Sequence, residues 1–445
     1  MAIFYLSFFM KIVLPPKTSL KTSLVSFEKI QQGIVPTVVD EKKRYLHWDK
    51  LRHLKTPDKF DDIDQYWHFI KFSRFQQQKK LPFSEDFSFV LTDDIQKNLH
   101  EIDSKMRGSL EAKNIDNNKD RYIVRSLIDE AISSSQLEGA ATTRKVAREM
   151  LKHNKTPEDH SQKMIYNNYH AIKFINEHKQ DELTPSLILQ LHTIVTKGTM
   201  DNSEVGKLRR DNEVNVIDNS TQTILHHPPD FQELPSRLKV LCDFANGSAP
   251  DYFVHPIIRA IVVHFALAYD HPFADGNGRT TRALFYWVIL KNNYWLFQYI
   301  TLSRYIKKAQ VQYGESFLMV ESDEFDLTYF INSQLKFITQ SIAGLFDYVD
   351  EKQQQQQQAL NLLGNYLSNG KVNSRQAMVI QHALKYPGSV YTIAGHKISQ
   401  SISYQTAKTD LVGLSKLNLL QHAKQGRAFV FIAPNDLEQR IKAYK

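Results

Sequence analysis

The stretch from His271 to Arg282 combines residue types that together can hold a polyphosphate. Gly276 and Gly278 stand two positions apart, and this spacing lets a turn expose its backbone N–H groups to an anion. A helix is predicted to begin at about Thr280, and a helix N-terminus adds unpaired N–H groups and a partial positive charge. The stretch therefore predicts an anion-binding turn.

Charged side chains flank this turn. Arg279 and Arg282 are three residues apart, so they lie on one face of the predicted helix and can converge on one polyanion. Asp275 offers a hard oxygen ligand of the kind that Mg²⁺ takes beside a nucleotide. His271, at the other end, is a base near neutral pH. A base, a metal carboxylate, a backbone cradle and two arginines suffice for phosphoryl or nucleotidyl transfer.

The elements that must position these residues are helices. Apolar residues recur every three or four positions, and strands do not alternate with helices, so the fold class is mainly α. Pro272 ends the helix before the turn, because the residue before a proline avoids the α region. The helical pattern is clearest in Arg121–Lys152, Lys163–His178, Pro185–Thr196, Phe231–Ala245, His255–Tyr269 and Thr280–Leu290.

One segment departs from the helical pattern. Residues 214–217 and 222–227 are predicted to be strands joined by a turn at 218–221. A lone hairpin in a helical protein is either a decoration or a device that holds a ligand. Its adjacent residues His226 and His227 point to opposite faces of a strand, so we do not expect them to bind one metal ion.

At His271–Arg282 the chain resembles the Fic family, whose signature is His-Pro-Phe-x-Asp/Glu-Gly-Asn-Gly/Lys-Arg-x-x-Arg. Every fixed position of the signature is met, and the likeness extends over about Lys43 to Ile338. The resemblance implies a Fic-type helical core that binds ATP and Mg²⁺. It also implies a protein adenylyltransferase, a nucleotidyltransferase that moves AMP onto a Ser, Thr or Tyr hydroxyl of a target protein.

The resemblance also implies roles for single residues. His271 would be the catalytic base that deprotonates the target hydroxyl, and Asp275 would hold the metal ion. Arg282 would bind the γ-phosphate. The nucleotide-binding residues would be Gly276, Asn277, Gly278, Arg279, Thr280, Thr281 and Arg282.

In this family a β-hairpin flap before the motif aligns the target's main chain by strand addition, which is a general mode of peptide recognition. The hairpin at residues 215–227 occupies that place. The residues expected to meet the target are Val216, Thr223, Ile224 and Leu225.

The segment from Ser134 to Gly139 matches the family's inhibitory pattern, Ser/Thr-x-x-x-Glu-Gly/Asn, on a predicted helix that precedes the catalytic motif. A carboxylate paired with Arg282 would take the place of the γ-phosphate and force ATP into an unproductive pose. We therefore predict a regulatory role for Ser134, Glu138 and Gly139, against the alternative that Glu138 is a solvated helical residue. In some relatives this glutamate also positions a water that removes AMP, so a de-AMPylating activity stays open.

Charge divides the chain. The net charge is +8, and all of it lies in residues 359–445, where eleven Lys and Arg stand against three Asp and Glu. A glutamine run coincides with this change. We therefore predict an N-terminal helical region at 1–110 (1–42 partly disordered or extended), a catalytic core at 111–350, a Gln-rich linker at 351–358 and a further domain at 359–445.

The last domain has the pattern of a winged helix-turn-helix. Ala407, Leu411 and Leu414 have the spacing that seats a third helix in a core. The expected elements are helices at Ser374–Lys385, Thr392–Ile398 and Ser403–Leu420 and a two-stranded wing at Gln421–Ala433. The basic charge, including Lys408, Lys416, Lys424 and Arg427, predicts DNA binding by residues 359–445, with protein contact as the alternative. The corresponding alternative for the whole chain is a nucleotide-sensing transcriptional regulator.

The number of cysteines indicates the cellular compartment in which the protein folds. Cys242 is the single cysteine, so an intramolecular disulfide and a Cys-based zinc site are excluded and a cytoplasmic location is favoured. We expect Cys242 to be a buried packing thiol. The apolar start, Met1–Phe9, is too short to span a bilayer and is expected to be a disordered extension, so no membrane partner is predicted. Relatives often form dimers, which makes a homodimer the default expectation.

Overall fold

The chain forms two compact units, Met1–Gly344 and Leu345–Lys445. In the part of the chain that is described, no helix is both long and apolar enough to cross a membrane. The computed structural model describes residues 12–107, 119–218, 221–362, 370–425 and 428–443.

The first unit is built almost entirely of helices, which confirms the predicted mainly α class. The last of its helices, α14, continues into the second unit. In chain order the helices are α1 (Leu20–Gln31), α2 (Trp48–Leu51), α3 (Ile63–Gln77), α4 (Asp93–Arg107), α5 (Lys119–Leu137), α6 (Arg144–Lys152), α7 (His160–His178), α8 (Pro185–Thr196), α9 (Leu234–Asn246), α10 (Pro256–Asp270), α11 (Asn277–Lys291), α12 (Leu302–Lys308), α13 (Gln310–Ser322) and α14 (Thr328–Leu362).

Helices α10 and α11 form the centre of the first unit, and nearly every residue of both is buried. His255 caps α10, and Pro256 occupies its first position, where a missing N–H costs nothing. Helix α10 ends at Asp270 as the proline rule predicts. Helix α11 begins at Asn277, three residues before the predicted start at Thr280, because Gly276 adopts φ 80° and caps the helix there.

The predicted helical stretch Arg121–Lys152 is two helices, α5 and α6. The break follows Leu137, and Gly139 has φ 91°, a left-handed conformation that favours glycine. Glu138 therefore lies in the turn that follows α5, and the prediction that it lies on the helix is wrong by one residue.

The N-terminal region packs against the core. Lys71 on α3 pairs with Asp323 at 2.9 Å, and Arg74 donates a hydrogen bond of 2.6 Å to the Tyr329 hydroxyl. The aromatic residues predicted to be core, among them Trp48 and Trp67, are buried. Helix α1 lies within residues 1–42, which were expected to be partly disordered or extended, and Met1–Phe9 fall outside the described residues.

Two small antiparallel hairpins accompany the helices of the first unit. One pairs β1 (Lys79–Lys80) with β2 (Ser88–Phe89). The other, the predicted flap, pairs β3 (Val216–Ile217) with β4 (Ile224–His226), so both of its strands are shorter than expected. The Asp218 N–H donates to the Thr223 carbonyl at 2.8 Å and closes the turn, of which 219–220 lie outside the described residues.

The second unit alternates helices with a three-stranded antiparallel sheet of order β5-β7-β6. Ala407, Leu411 and Leu414 are buried in its core as predicted. Strand β5 and helix α18 were not predicted. The elements are α15 (Ser374–Lys385), β5 (Val390–Thr392), α16 (Ile393–Gln400), α17 (Tyr404–Lys416), β6 (Gln421–Gln425), β7 (Ala428–Ile432) and α18 (Leu437–Ala443).

The glutamine run at 353–358 lies inside helix α14. The predicted linker at 351–358 is therefore helical, because Gln has a good helix propensity and the run continues a helix that has already begun. Cys242 is buried, and burial raises the pKa of its thiol to about 12, which confirms the predicted packing thiol.

Candidate active site

His271 lies at the end of α10 with φ 43°, and its side chain is 1% exposed. Its Nδ1 faces the Ala268 carbonyl at 3.3 Å, so Nδ1 carries the proton and Nε2 the lone pair. Burial lowers the pKa of His271 to about 3, and the nearby His226 lowers it further. The imidazole is therefore neutral at physiological pH, and its pKa lies well below the near-neutral value expected from the sequence, because burial disfavours the charged form.

Arg209 holds the backbone around His271. Its N–H donates to the Pro272 carbonyl at 2.9 Å, and its Nε donates to the His271 carbonyl at 3.1 Å. The guanidinium also donates to the Asp211 and Pro229 carbonyls, so it connects the loop between α10 and α11 to both ends of the flap segment. Arg209 falls within the stretch that resembles the family, but its sequence context gives no sign of this role.

Asn277 closes the loop between α10 and α11. Its Oδ1 accepts from the Phe273 N–H at 3.0 Å, and its Nδ2 donates to the Phe273 carbonyl at 2.7 Å. Both polar atoms of the side chain are thus used within the loop. The expected contribution of Asn277 to nucleotide binding is therefore limited to its backbone, at the first position of α11, where helix N–H groups lack partners in the helix.

Asp275 presents a carboxylate at the mouth of this loop, with its side chain 44% exposed. Its Oδ1 accepts from the Gly276 N–H at 2.6 Å, and its Oδ2 lies 3.5 Å from Nη2 of Arg279. In the described part of the chain, no group of three or more His, Cys, Asp or Glu could hold a metal ion. A single hard carboxylate fits Mg²⁺, which keeps waters and takes further oxygens from phosphates.

The two arginines have different neighbours. Arg279 is buried and donates from Nη1 to the Val195 carbonyl at 3.0 Å on α8, and burial lowers the pKa of its guanidinium. Arg282 faces α5 instead. Between them, Thr280 and Thr281 are buried, and their hydroxyls have no hydrogen-bond partner among the described residues.

Glu138 forms an ion pair with Arg282, with 2.7 Å between Oε1 and Nη2. Ser134 also binds this guanidinium, since its hydroxyl accepts from Nε at 2.9 Å and its carbonyl accepts from Nη2 at 3.0 Å. A Cβ built on Gly278 would overlap the Glu138 carboxylate, so this carboxylate lies directly against the turn predicted to bind phosphate. The predicted regulatory segment and the predicted nucleotide turn are therefore in contact.

The flap lies beside an apolar groove. Val216 and Leu225 line this groove, whereas Thr223 and Ile224 are exposed to solvent. His226 fixes the hairpin, because its Nε2 donates to the Tyr269 carbonyl at 2.7 Å. The groove is completed by Ala268, Tyr269, Tyr313, Gly314, Phe317, Leu318 and Glu321.

Helix α8 supplies contacts that sequence reasoning missed. Val195 meets Arg279, and a Cβ on Gly276 would lie 2.6 Å from the Thr196 methyl group. His192 contacts the Asp275 carbonyl at 2.8 Å. Burial lowers the pKa of His192 to about 4. No local pattern distinguishes these residues from the rest of an amphipathic helix.

Parts of the chain are similar to known proteins. Residues 182–289 match the model of the Fic/DOC family. "Protein adenylyltransferase Fic" from Nematostella vectensis is 26% identical over 48% of this chain and 48% of its own length. The protein of the same name from Drosophila willistoni is 34% identical over 28% of this chain and 23% of its own length. The chain thus matches about half or less of the length of these relatives.

A solved structure shares the fold. The crystal structure of a Fic family protein from Desulfovibrio desulfuricans G20 aligns with a TM-score of 0.52 and 17% identity, over 78% of this chain and 98% of that chain. At this identity the likeness concerns the fold alone. The family match identifies residues 182–289 as a Fic domain, and the solved structure shows that the helical fold around it is shared with a Fic family protein.

Proposed function

We propose that the chain is a protein adenylyltransferase that moves AMP from ATP to a Ser, Thr or Tyr hydroxyl of a target protein. The observation that carries the proposal is a neutral, buried His271 at one end of the loop and an anion-binding helix N-terminus with Arg279 and Arg282 at the other. In the transfer, the hydroxyl oxygen bonds to the α-phosphorus, and the bond from that phosphorus to the bridging oxygen breaks. Pyrophosphate leaves, and the hydroxyl proton goes to Nε2 of His271.

The site residues divide the work of binding. The N-terminus of α11 and the two arginines would hold the phosphates, and Asp275 would hold Mg²⁺, which neutralises phosphate charge when bound. The groove beside the flap, with three aromatic rings at Tyr269, Tyr313 and Phe317, has the apolar lining that suits a flat base. The exposed edge of the flap would receive the target.

We further propose that Glu138 holds this activity low. Its carboxylate occupies Arg282 and lies on Gly278, so the γ-phosphate of ATP meets a negative charge where it needs a positive one. With Glu138 in place, the same site would be suited to hydrolysis, in which a water oxygen bonds to the phosphorus of the AMP group on a modified target. The bond from that phosphorus to the target's oxygen breaks, AMP leaves, and the target's oxygen takes up a proton given up by the water. De-AMPylation is therefore the second direction to be tested at this site.

The test is incubation with ATP labelled in the α-phosphate and Mg²⁺. Glu138→Gly should incorporate label into protein, and adding His271→Ala to it should abolish the signal. A competition panel of unlabelled nucleotides identifies the donor, and release of AMP from prelabelled protein measures hydrolysis. Absence of label in Glu138→Gly over a broad set of target extracts, with ATP binding intact, would overturn the proposal.

We also propose that the second unit is a winged helix that binds DNA. The order helix, strand, two helices and two strands supports the first part. Exposed Tyr404, Gln405 and Lys408 on α17, in a segment with all the net positive charge, support the second. This activity would make the chain a regulator as well as a transferase.

The DNA proposal is tested on the full chain by titrating duplex DNA at several salt concentrations. Lys408→Glu should weaken DNA binding. It should also reduce the slope of the logarithm of the binding constant against the logarithm of the salt concentration by about 1, the value for one lysine that binds a phosphate. The matched control is Lys239→Glu, an exposed lysine on α9 in the first unit. No salt-dependent binding by the wild type would favour a protein-contact role instead.

A further inference from the structure

His192 on α8 lies beneath the catalytic loop and is completely buried. Its ring is stacked on Phe273, with the ring centroids 3.8 Å apart and the planes 8° from parallel. Its Nε2 lies 2.8 Å from the Asp275 carbonyl, and its Nδ1 lies 3.0 Å from the Gly206 backbone nitrogen. No step of the proposed transfer uses this imidazole.

The two hydrogen bonds select one tautomer. The Gly206 N–H is a donor, so Nδ1 must be the acceptor. Nε2 then carries the hydrogen and donates it to the Asp275 carbonyl, which is an acceptor only. A neutral imidazole with its proton on Nε2 therefore satisfies both polar partners in a buried place, where an unmade hydrogen bond is costly.

These contacts restrain Asp275 from two sides. Its carbonyl is held by His192, and its Oδ1 is held by the N–H of Gly276. Gly276 itself is packed against Thr196, one turn after His192 on the same helix. With the backbone and one oxygen held in place, the direction of the other oxygen, Oδ2, is largely determined.

The Gly206 contact extends the restraint to the base. Gly206 begins the segment that ends at Arg209, and Arg209 holds the carbonyls of His271 and Pro272. His192 thus contacts Gly206, which precedes Arg209, and at the same time the backbone of Asp275, the predicted metal ligand. A carboxylate or a hydrophobic residue at this position would not supply one donor and one acceptor in these directions.

We propose that His192 is a positioning residue that aims the Asp275 carboxylate at the divalent cation of the metal–nucleotide complex. The inference rests on the proposed function, in which Asp275 holds Mg²⁺. In this role His192 acts through the backbone of Asp275 and is not itself a catalytic residue.

Two substitutions separate the donor from the acceptor. Gln places an N–H donor near Nε2, so His192→Gln should keep the bond to Asp275. Asn places an oxygen acceptor near Nδ1 but reaches no donor to Asp275, so His192→Asn should keep only the bond to Gly206. Both variants lose the ring stacked on Phe273, and they differ from each other in volume by one methylene group.

The readout besides activity is Mn²⁺ binding, measured by electron paramagnetic resonance in the presence of a non-hydrolysable ATP analogue. We expect His192→Asn to weaken Mn²⁺ binding by about tenfold, the order found for partners of metal ligands, and His192→Gln to stay within about threefold of wild type. When each His192 variant is combined with Glu138→Gly, the Mg²⁺ concentration that gives half-maximal AMP incorporation should rise more with His192→Asn than with His192→Gln. Affinity for the analogue without metal should stay unchanged.

Three results would overturn the inference. The first is equal Mn²⁺ affinity in wild type and His192→Asn, and the second is equal loss in both variants, which would assign the effect to packing alone. The third, which needs no variant to fold, is a ¹⁵N spectrum of wild-type histidines showing His192 with its proton on Nδ1. If Mn²⁺ binding follows the expected order while Glu138→Gly transfers no AMP, the proposed function fails and the role of His192 stands.

Discussion

Replacement of Glu138 by glycine removes the carboxylate that pairs with Arg282 and that, in the proposed function, competes with ATP for this arginine. The ion pair is largely shielded from water, since 13% of the Glu138 side chain and 3% of the Arg282 side chain are exposed. Ser134 still binds the guanidinium through its hydroxyl and its carbonyl in the variant. Arg282 should therefore keep its position and become available to a phosphate.

The size of the effect follows from the ion pair that the substitution removes. A hydrogen bond to a charged group contributes about 1.5–3 kcal/mol net. Breaking a buried pair costs more, about 3–5 kcal/mol, but only when the remaining charge stays unpaired. An incoming γ-phosphate re-pairs Arg282, so the smaller range applies, and it corresponds to a rise of about 10- to 150-fold in the rate of AMP incorporation.

The assay is the initial rate of label transfer from ATP, compared at equal protein concentration. Glu138→Gln keeps the shape and loses the charge, so its rate should also rise. Glu158→Gly, which changes an exposed glutamate in a loop, should match the wild type. The reasoning would be refuted if transfer that requires His271 is measurable but its rate is the same in Glu138→Gly and in the wild type. A rise in Glu138→Gly without a rise in Glu138→Gln would show that the bulk of the side chain, and not its charge, is inhibitory.

Two further predictions concern stability. Gly276→Ala should lower the free energy of unfolding by about 1–3 kcal/mol, because it combines strain at φ 80° with a Cβ 2.6 Å from the Thr196 methyl group. Gly247→Ala is its control, with φ 88° and nothing within 4 Å of the new Cβ, and should cost less in urea unfolding; equal losses would contradict the packing part. Burial lowers the pKa of six histidines, and in four of them the pKa falls to about 4 or 3. The unfolded chain therefore binds more protons than the folded one below pH 6.5, and stability that is complete above pH 6.5 should be lost as the pH falls. Near pH 5 the free energy of unfolding should change by up to about 1.4 kcal/mol per pH unit for each of the four histidines whose pKa is lowered to about 4 or 3. Urea midpoints that stay the same from pH 7 to pH 5 would contradict this prediction. The pKa values are about 4 for His47 and His192 and about 3 for His264 and His271.

Much of the local structure around the site could be predicted. Pro272 ends α10 where the steric rule for the residue before proline says it should. Helix α8 has the predicted bounds, since Thr184 caps it and Pro185 opens it. The predicted start of α11 lies three residues too late, because the left-handed Gly276 acts as a cap and Asn277 closes the loop onto Phe273.

Predictions from periodicity failed where a single residue interrupts a helix or adds a strand. Gly139 splits the stretch predicted as one helix, because apolar spacing continues on both sides of the break. Strand β5 pairs with β7 and not with a neighbour in sequence, so no hairpin pattern announces it. The linker predicted at 351–358 is helical, because the composition of a glutamine run also suits a helix and α14 continues through it.

The sequence by itself determined the residue types of the site and the local turn that displays them, because glycine, proline and helix ends act within a few residues. Only the tertiary structure decided which distant groups meet. The protonation of His271 depends on burial by surrounding helices, and the setting of Asp275 depends on His192, which is far from it along the chain. Likewise, the pairing of Glu138 with Arg282 could be inferred from the family likeness, but the contact of its carboxylate with Gly278 follows from how α5 packs beside α11. Packing brings these groups together, and a pattern along one helix does not encode the partner on another.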